Sequence, residues 1–174
     1  MKALTAAVGA AILLALLATP SFGQSSTTVN GGGQGTYGAD LDLDGDVDAT
    51  HFGLGVTIFG DGSARGHFLC LMAGNADFLG LSVMAVEGRV TSGSVNTAAG
   101  TATFSGVASV NLGNGTVFRG VPFEVAVKAG GPGVGTVTLT VIGAFNGVPG
   151  DTNVFNNNYD LPLETVTSGQ IAMH

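Results

Sequence analysis

Residues 40–48 read DLDLDGDVD and place five carboxylates, Asp40, Asp42, Asp44, Asp46 and Asp48, within one short stretch. Hard cations such as calcium take roughly six to eight oxygen ligands, and alternating aspartates around a glycine turn supply them. Like charges this close repel one another, and a bound cation relieves that repulsion. These five residues are the candidate metal ligands, and calcium is the candidate cofactor. The plainer alternative uses the same alternation, with Leu41, Leu43 and Val47 on the odd positions. An edge strand or loop with a solvated acidic face needs no metal, and charge on an edge discourages aggregation. Bound calcium would stiffen the chain here rather than catalyse.

The other reactive side chains are scattered. His51, His67 and His174 are far apart, and no pair has metal-ligand spacing. Cys70 alternates with bulky apolar residues, which predicts a buried, inert thiol. Glu87, Glu124 and Glu164 are isolated, and no G-x-S-x-G stretch is present. Residues 151–160 (DTNVFNNNYD) gather amides and carboxylates around Phe155 and Tyr159, which could face a ligand, although an ordinary long surface turn has the same composition. No catalytic residue is assigned.

The stretch D-x-D-x-D-G from Asp40 to Gly45 resembles the calcium loop of EF-hands and dockerins. The resemblance implies that Asp40, Asp42 and Asp44 ligate through their carboxylates. It implies a backbone carbonyl ligand from Asp46 and a further ligand at Asp48. It covers one loop and departs at the closing position, where a bidentate carboxylate is expected and His51 stands. A strand pattern, not a helix, follows, so dockerin function does not carry over. A wider resemblance rests on the hairpin around Gly60-Asp61-Gly62 leading to Gly66-His67-Phe68, on Thr101 to Gly106, and on the close from Ser168 to His174. In these the chain resembles small secreted bacterial glycine-rich β-domains. That resemblance implies a secreted β-domain and brings no activity with it.

Targeting is legible at the start. Lys2 precedes an almost wholly apolar run over 3–18, Pro20 breaks it, and Ser21-Phe22-Gly23 offers small residues for a cut after Gly23. This is the pattern of a secretory signal peptide over 1–23. The run is shorter than the roughly 20 apolar residues of a membrane span, so no transmembrane segment is expected in the mature chain. The expected location is extracellular or periplasmic. Residues 24–38, rich in Gly, Ser and Thr, read as a flexible lead-in, leaving a single β-domain over 39–174.

The chain has 174 residues, 5 basic and 12 acidic, and a formal net charge of −7. That balance excludes nucleic acid as the partner, since phosphates need a lysine and arginine surface. One cysteine excludes an internal disulfide. Five of the twelve acidic residues lie in 40–48, so the acidity describes one segment rather than a general partner.

The elements that must carry these residues are strands. Apolar residues alternate over 51–59, 101–112 and 136–141, the period of half-buried β-strands. Further strands are expected over 78–95, with a break near Gly88, and over 163–173. The connections fall at 73–77, 96–100, 129–135 and 146–160. A two-residue turn at Asn114-Gly115 sets Ala108 opposite Val121, Gly106 opposite Phe123 and Phe104 opposite Val125, and leaves Arg119 facing inward opposite Val110. A three-residue loop at 61–63 sets Ile58 by Gly66 and Val56 by Phe68, with Cys70 inside and His67 outside, opposite Thr57.

The expectation is an all-β, antiparallel up-and-down meander of seven or eight strands closing into a barrel, with a two-sheet sandwich as the alternative. An outer-membrane barrel is disfavoured, because the outward faces are mostly Thr, Ser and Asn. The function expected is a secreted non-catalytic domain, stiffened by calcium, that serves extracellular binding or structure, with an extracellular partner or a small ligand to bind. A barrel carrying a small apolar ligand is the first alternative, and a secreted hydrolase whose site converges only in three dimensions is the second.

Overall fold

A computed structural model describes residues 25–41, 45–78 and 81–174. The leader read at 1–23 lies outside the described residues, as do Asp42 and Asp44. Among the described residues all regular structure is β. The strands are β1 (Ser26–Thr36), β2 (Ala49–Phe59), β3 (Ser63–Phe78), β4 (Leu81–Asn96), β5 (Thr101–Asn111), β6 (Val117–Lys128), β7 (Thr136–Val141), β8 (Tyr159–Asp160) and β9 (Glu164–Met173). No helix among them is long and apolar enough to cross a membrane, which bears only on helices.

All strand pairings are antiparallel, and they join β6-β5-β4-β3-β2-β1-β9-β7-β8 in one sheet. β6 also pairs with β7, so the hydrogen bonds run round a closed ring with no strand crossing over another. The antiparallel meander expected from the alternation is the observed architecture. Up-and-down order sends the β1–β2, β3–β4, β5–β6 and β7–β8 connections to one end of the ring, here called the loop end. One apolar residue in two points inward. Phe52, Leu54, Val56 and Ile58 of β2, Phe104 and Val110 of β5, and Val137, Leu139 and Val141 of β7 are all buried. Phe68 packs between Phe104 and Phe123, with ring centroids 6.0 Å away in each case.

Five local expectations are corrected. Residues 24–38 are not a free lead-in, because Ser26–Thr36 is the strand that closes the ring between β2 and β9. Its glycines are what closeness demands. A Cβ on Gly31 would stand 2.4 Å from the Gln170 carbonyl oxygen, and one on Gly33 only 1.9 Å from that of Ser168. The stretch 73–77, expected as a connection, continues β3, and Gly88 does not break β4. A side chain there would strike the Phe123 ring, 2.5 Å from a Cβ. The β2–β3 loop is 60–62 rather than 61–63, pairing Ile58 with Ala64, Val56 with Gly66 and His67 with Gly55. Asp61 tightens this turn by accepting hydrogen bonds from the Ser63 amide (2.9 Å) and hydroxyl (2.6 Å). The shift is two residues, so the faces stay as expected, with Cys70 buried and His67 exposed.

The β5–β6 hairpin contains the fifth. Ala108 faces Val121, Gly106 faces Phe123 and Phe104 faces Val125 as expected, but nearer the turn Ser109 faces Arg119. Gly120, at φ +70°, is the extra residue of a bulge. The bulge turns Arg119 outward, which removes the buried charge that an unbroken register would impose.

If β1 closes the ring, Gly33→Ala lowers the unfolding free energy by about 1–3 kcal/mol through overpacking and an unfavourable φ. Gly53→Ala, where a Cβ meets nothing within 4 Å, serves as the control. Urea unfolding of the two variants checks this, and equal midpoints would return 26–36 to a loose lead-in.

Candidate functional site

Loop 37–48 joins β1 to β2 at the loop end. Its two legs are tied by the Tyr37 amide donating to the Asp48 carbonyl (3.1 Å) and the Asp48 amide donating to the Ala39 carbonyl (3.1 Å). Asp40 folds across the loop, its carboxylate accepting from the Gly45 amide at 3.0 Å. Asp48 is buried and its carboxylate accepts from the Leu41 amide. Asp46 is exposed. The described residues are therefore bends, not an edge strand, and Asp40 and Asp48 hold the loop's own backbone. Among the described residues no group of three His, Cys, Asp or Glu side chains is arranged to hold a metal ion.

Loop 142–158 shares this end. It is knit by Asp151, which accepts from the Gly147 (2.7 Å), Asn153 (3.0 Å) and Asp160 (3.2 Å) amides. These three amides pull its carboxyl below the usual range against the opposing effect of desolvation. The Tyr159 hydroxyl points into the loop and donates to the Pro149 carbonyl at 2.9 Å. Phe155, at the tip, is 95 % exposed. The polar segment 151–160 thus spends most of its oxygen atoms on its own turns.

Sequence spacing missed a buried acid. Glu164 of β9 and Thr50 of β2 point inward on either side of β1, and the Thr50 hydroxyl donates to Glu164 Oε2 at 2.5 Å. Gly35 of β1 lies between them, where a Cβ would stand 2.6 Å from that same oxygen. The missing side chain is what lets the carboxyl reach across. Burial pushes the Glu164 carboxyl up to about 7, against the opposing help of the Thr50 and Tyr37 hydroxyls. The Tyr37 hydroxyl is close enough to feel the carboxyl but meets no partner in hydrogen-bond geometry among the described residues, and the same holds for Glu164 Oε1. Tyr37 and Cys70 are raised first by burial and then by the Glu164 charge, and Tyr159 first by burial. Cys70 is therefore a protonated, sealed thiol, as its parity predicts. Three residues more than a hundred positions apart in part form this cluster, and no local pattern joins them.

The outer wall carries the remaining feature. A groove of about 540 Å³ runs across β2–β5, between outward Gly53 and Gly55 on one side and Val107 and Ser109 on the other, with His67, Glu87 and Arg89 along it. His67 pairs with Gly55 and Arg89 in register. The chain matches no protein-family model, no curated protein and no solved structure.

The Glu164 site makes stability depend on pH. The folded carboxyl holds its proton to about 7 while the free group loses it near 4.5, so the folded state binds the extra proton between those values. Stability is greatest at the acid side of that window and falls as pH rises through it, by about 3 kcal/mol in all. Denaturant unfolding at pH 5 and pH 8 measures the fall, and Glu164→Gln removes it. The same slope in both proteins would mean that another group is responsible.

Proposed function

We propose that the chain is a secreted, non-catalytic β-domain that works in extracellular or periplasmic binding or structure, with loop 37–48 stiffened by calcium. The observation that carries this reading is the contrast between a sealed interior and an open outer wall. Cys70 and Glu164 are each 1 % exposed, so neither meets a solute, whereas His67, Glu87 and Arg89 stand in a groove open to solvent. The interior is occupied by Phe68, Phe104, Phe123, Met72 and Met84, which weighs against a small apolar ligand carried there. Its kinship with small secreted bacterial β-domains is part of the same reading.

A secreted hydrolase is the second reading, because the groove holds His67, Glu87 and Ser109 together. Ser109 and His67 are on β5 and β3, two strands and about 10 Å apart by strand spacing. A nucleophile and its base need to be within hydrogen-bond reach. Binding is therefore the better use of this wall.

Calcium is supported by the charge of 40–48 and by the way Asp40 closes over the Gly45 turn. Calorimetry of the purified protein with calcium and with chelator tests it. Calcium at about a hundredfold over its dissociation constant should raise the melting temperature by about 5 °C or more, and Asp40→Asn should reduce the gain. A melting temperature indifferent to calcium removes the metal from the proposal and leaves the acidic loop bare.

A further inference from the structure

We propose that the outer wall over β2–β5 binds an acidic glycan, with Arg89 and Arg65 holding uronate carboxylates and the glycine floor of β2 receiving the sugar rings. This rests on the binding reading above and names its ligand class. The groove lined by Gly53 and Glu87 continues into a second concavity of about 680 Å³, and the two share Gly55, His67 and Arg89. Arg65 lines the second, its guanidinium 5.4 Å over the Phe59 ring, which steadies it. Arg89 pairs with His67, and Arg65 lies two residues further along β3, so the two arginines are about 8 Å apart at their Cα atoms. Arg89 forms no ion pair with a described residue. In a chain with 12 acidic and only 5 basic residues, two arginines against one acidic residue, Glu87, make this wall a local reversal of sign.

The floor separates a binding trough from an ordinary strand face. A Cβ on Gly53 or Gly55 would meet nothing within 4 Å, so neither glycine is required by packing. Glycine weakens a strand interior and leaves room for something to approach the backbone. Leu69 and Val107 stand on the walls, 39 % and 47 % exposed, and suit the C–H face of a sugar ring. Glu87, His67 and Ser109 offer acceptors and donors for hydroxyls.

Other anions fit less well. β2, β3, β4 and β5 are each paired on both sides, so an acidic peptide finds no free edge to extend as a strand. Two arginines cannot neutralise the phosphates that give a nucleic acid its affinity. Arginine meets a carboxylate through two parallel hydrogen bonds, and a uronate polymer repeats that carboxylate along a polyol chain.

Titration calorimetry of the purified protein with oligogalacturonate, and with the same oligomer methyl-esterified, is the test. The acid should bind and the ester should not. Arg89→Ala should weaken binding by about tenfold or more, the loss of one charged hydrogen-bonded contact. Gly55→Val should abolish binding without lowering the melting temperature, because its side chain enters open space on a strand. Acid and ester bound alike would overturn the role of the arginines. Binding unchanged in both variants would overturn the trough while leaving a surface-binding domain. No binding of the oligomer, with binding of an acidic peptide or inorganic phosphate at Arg89, would overturn the glycan and keep the site. No binding of any of these probes would overturn the proposal.

Discussion

Ring closure rests on how near β1 can come to β9. An eight-strand meander whose last strand cannot lie against its first is an open sheet with two unpaired edges, and unpaired edges recruit other chains. Here the approach is so close that a methyl group on Gly33 would overlap the Ser168 carbonyl, and one on Gly169 that of Gly32, 2.0 Å away. Glycines face one another across the seam, Gly33 with Gly169 in register. The strand that looks least like a strand in composition is the one without which the others have no closed interior to fill.

Closure then sets the terms for the one buried acid. Thr50 and Glu164 belong to strands that are not neighbours, and they meet only because β1 between them carries no side chain at Gly35. Burying a carboxyl without a cation is costly, and the usual escape is to keep the proton. The Thr50 hydroxyl serves either charge state, as donor to the anion or acceptor from the acid. The cluster with Tyr37 lies toward the loop end, so the apolar body of aromatic and aliphatic side chains passes into a polar layer before the loops begin. Such a layer ties the 37–48 loop to the ring, since Tyr37 starts that loop and Asp48 ends it.

Much of this was legible in the residues. Strict alternation told which side chains point inward, and it did so even where the pairing was misjudged. His67 faces outward and Cys70 inward under either β2–β3 register, because a shift of two preserves parity. Parity alone could not choose between those registers; the Asp61 side-chain bonds to Ser63 and the fit of Gly66 against Gly55 decide it. Arg119 showed itself as a misfit in the ideal hairpin, and a misfit charge on an inward position is itself a signal of a bulge. Residues 24–38 read as a lead-in because glycine-rich composition is the same whether the chain is loose or packed too tightly for any side chain. Glu164 was invisible as a site, since its partners are assembled only by the seam.

Glycine has two opposite uses in this ring. At Gly33, Gly66 and Gly106 a neighbouring backbone already occupies the space where a side chain would begin, with carbonyl oxygens 1.9 to 2.1 Å from the Cβ position. There the residue is the condition of pairing, and the entropy it costs the folded state is offset by strands that could not otherwise meet. At Gly53 and Gly55 nothing stands in the way, and a β-branched residue would favour the strand. The fold alone gives no reason for glycine at those two outward positions of β2, which are also where the wall is hollow and the arginines gather. A destabilising choice that packing does not require is where function is to be sought. In this chain the two glycines that packing does not require lie on the outside of the ring, away from both the buried acid and the aspartate loop.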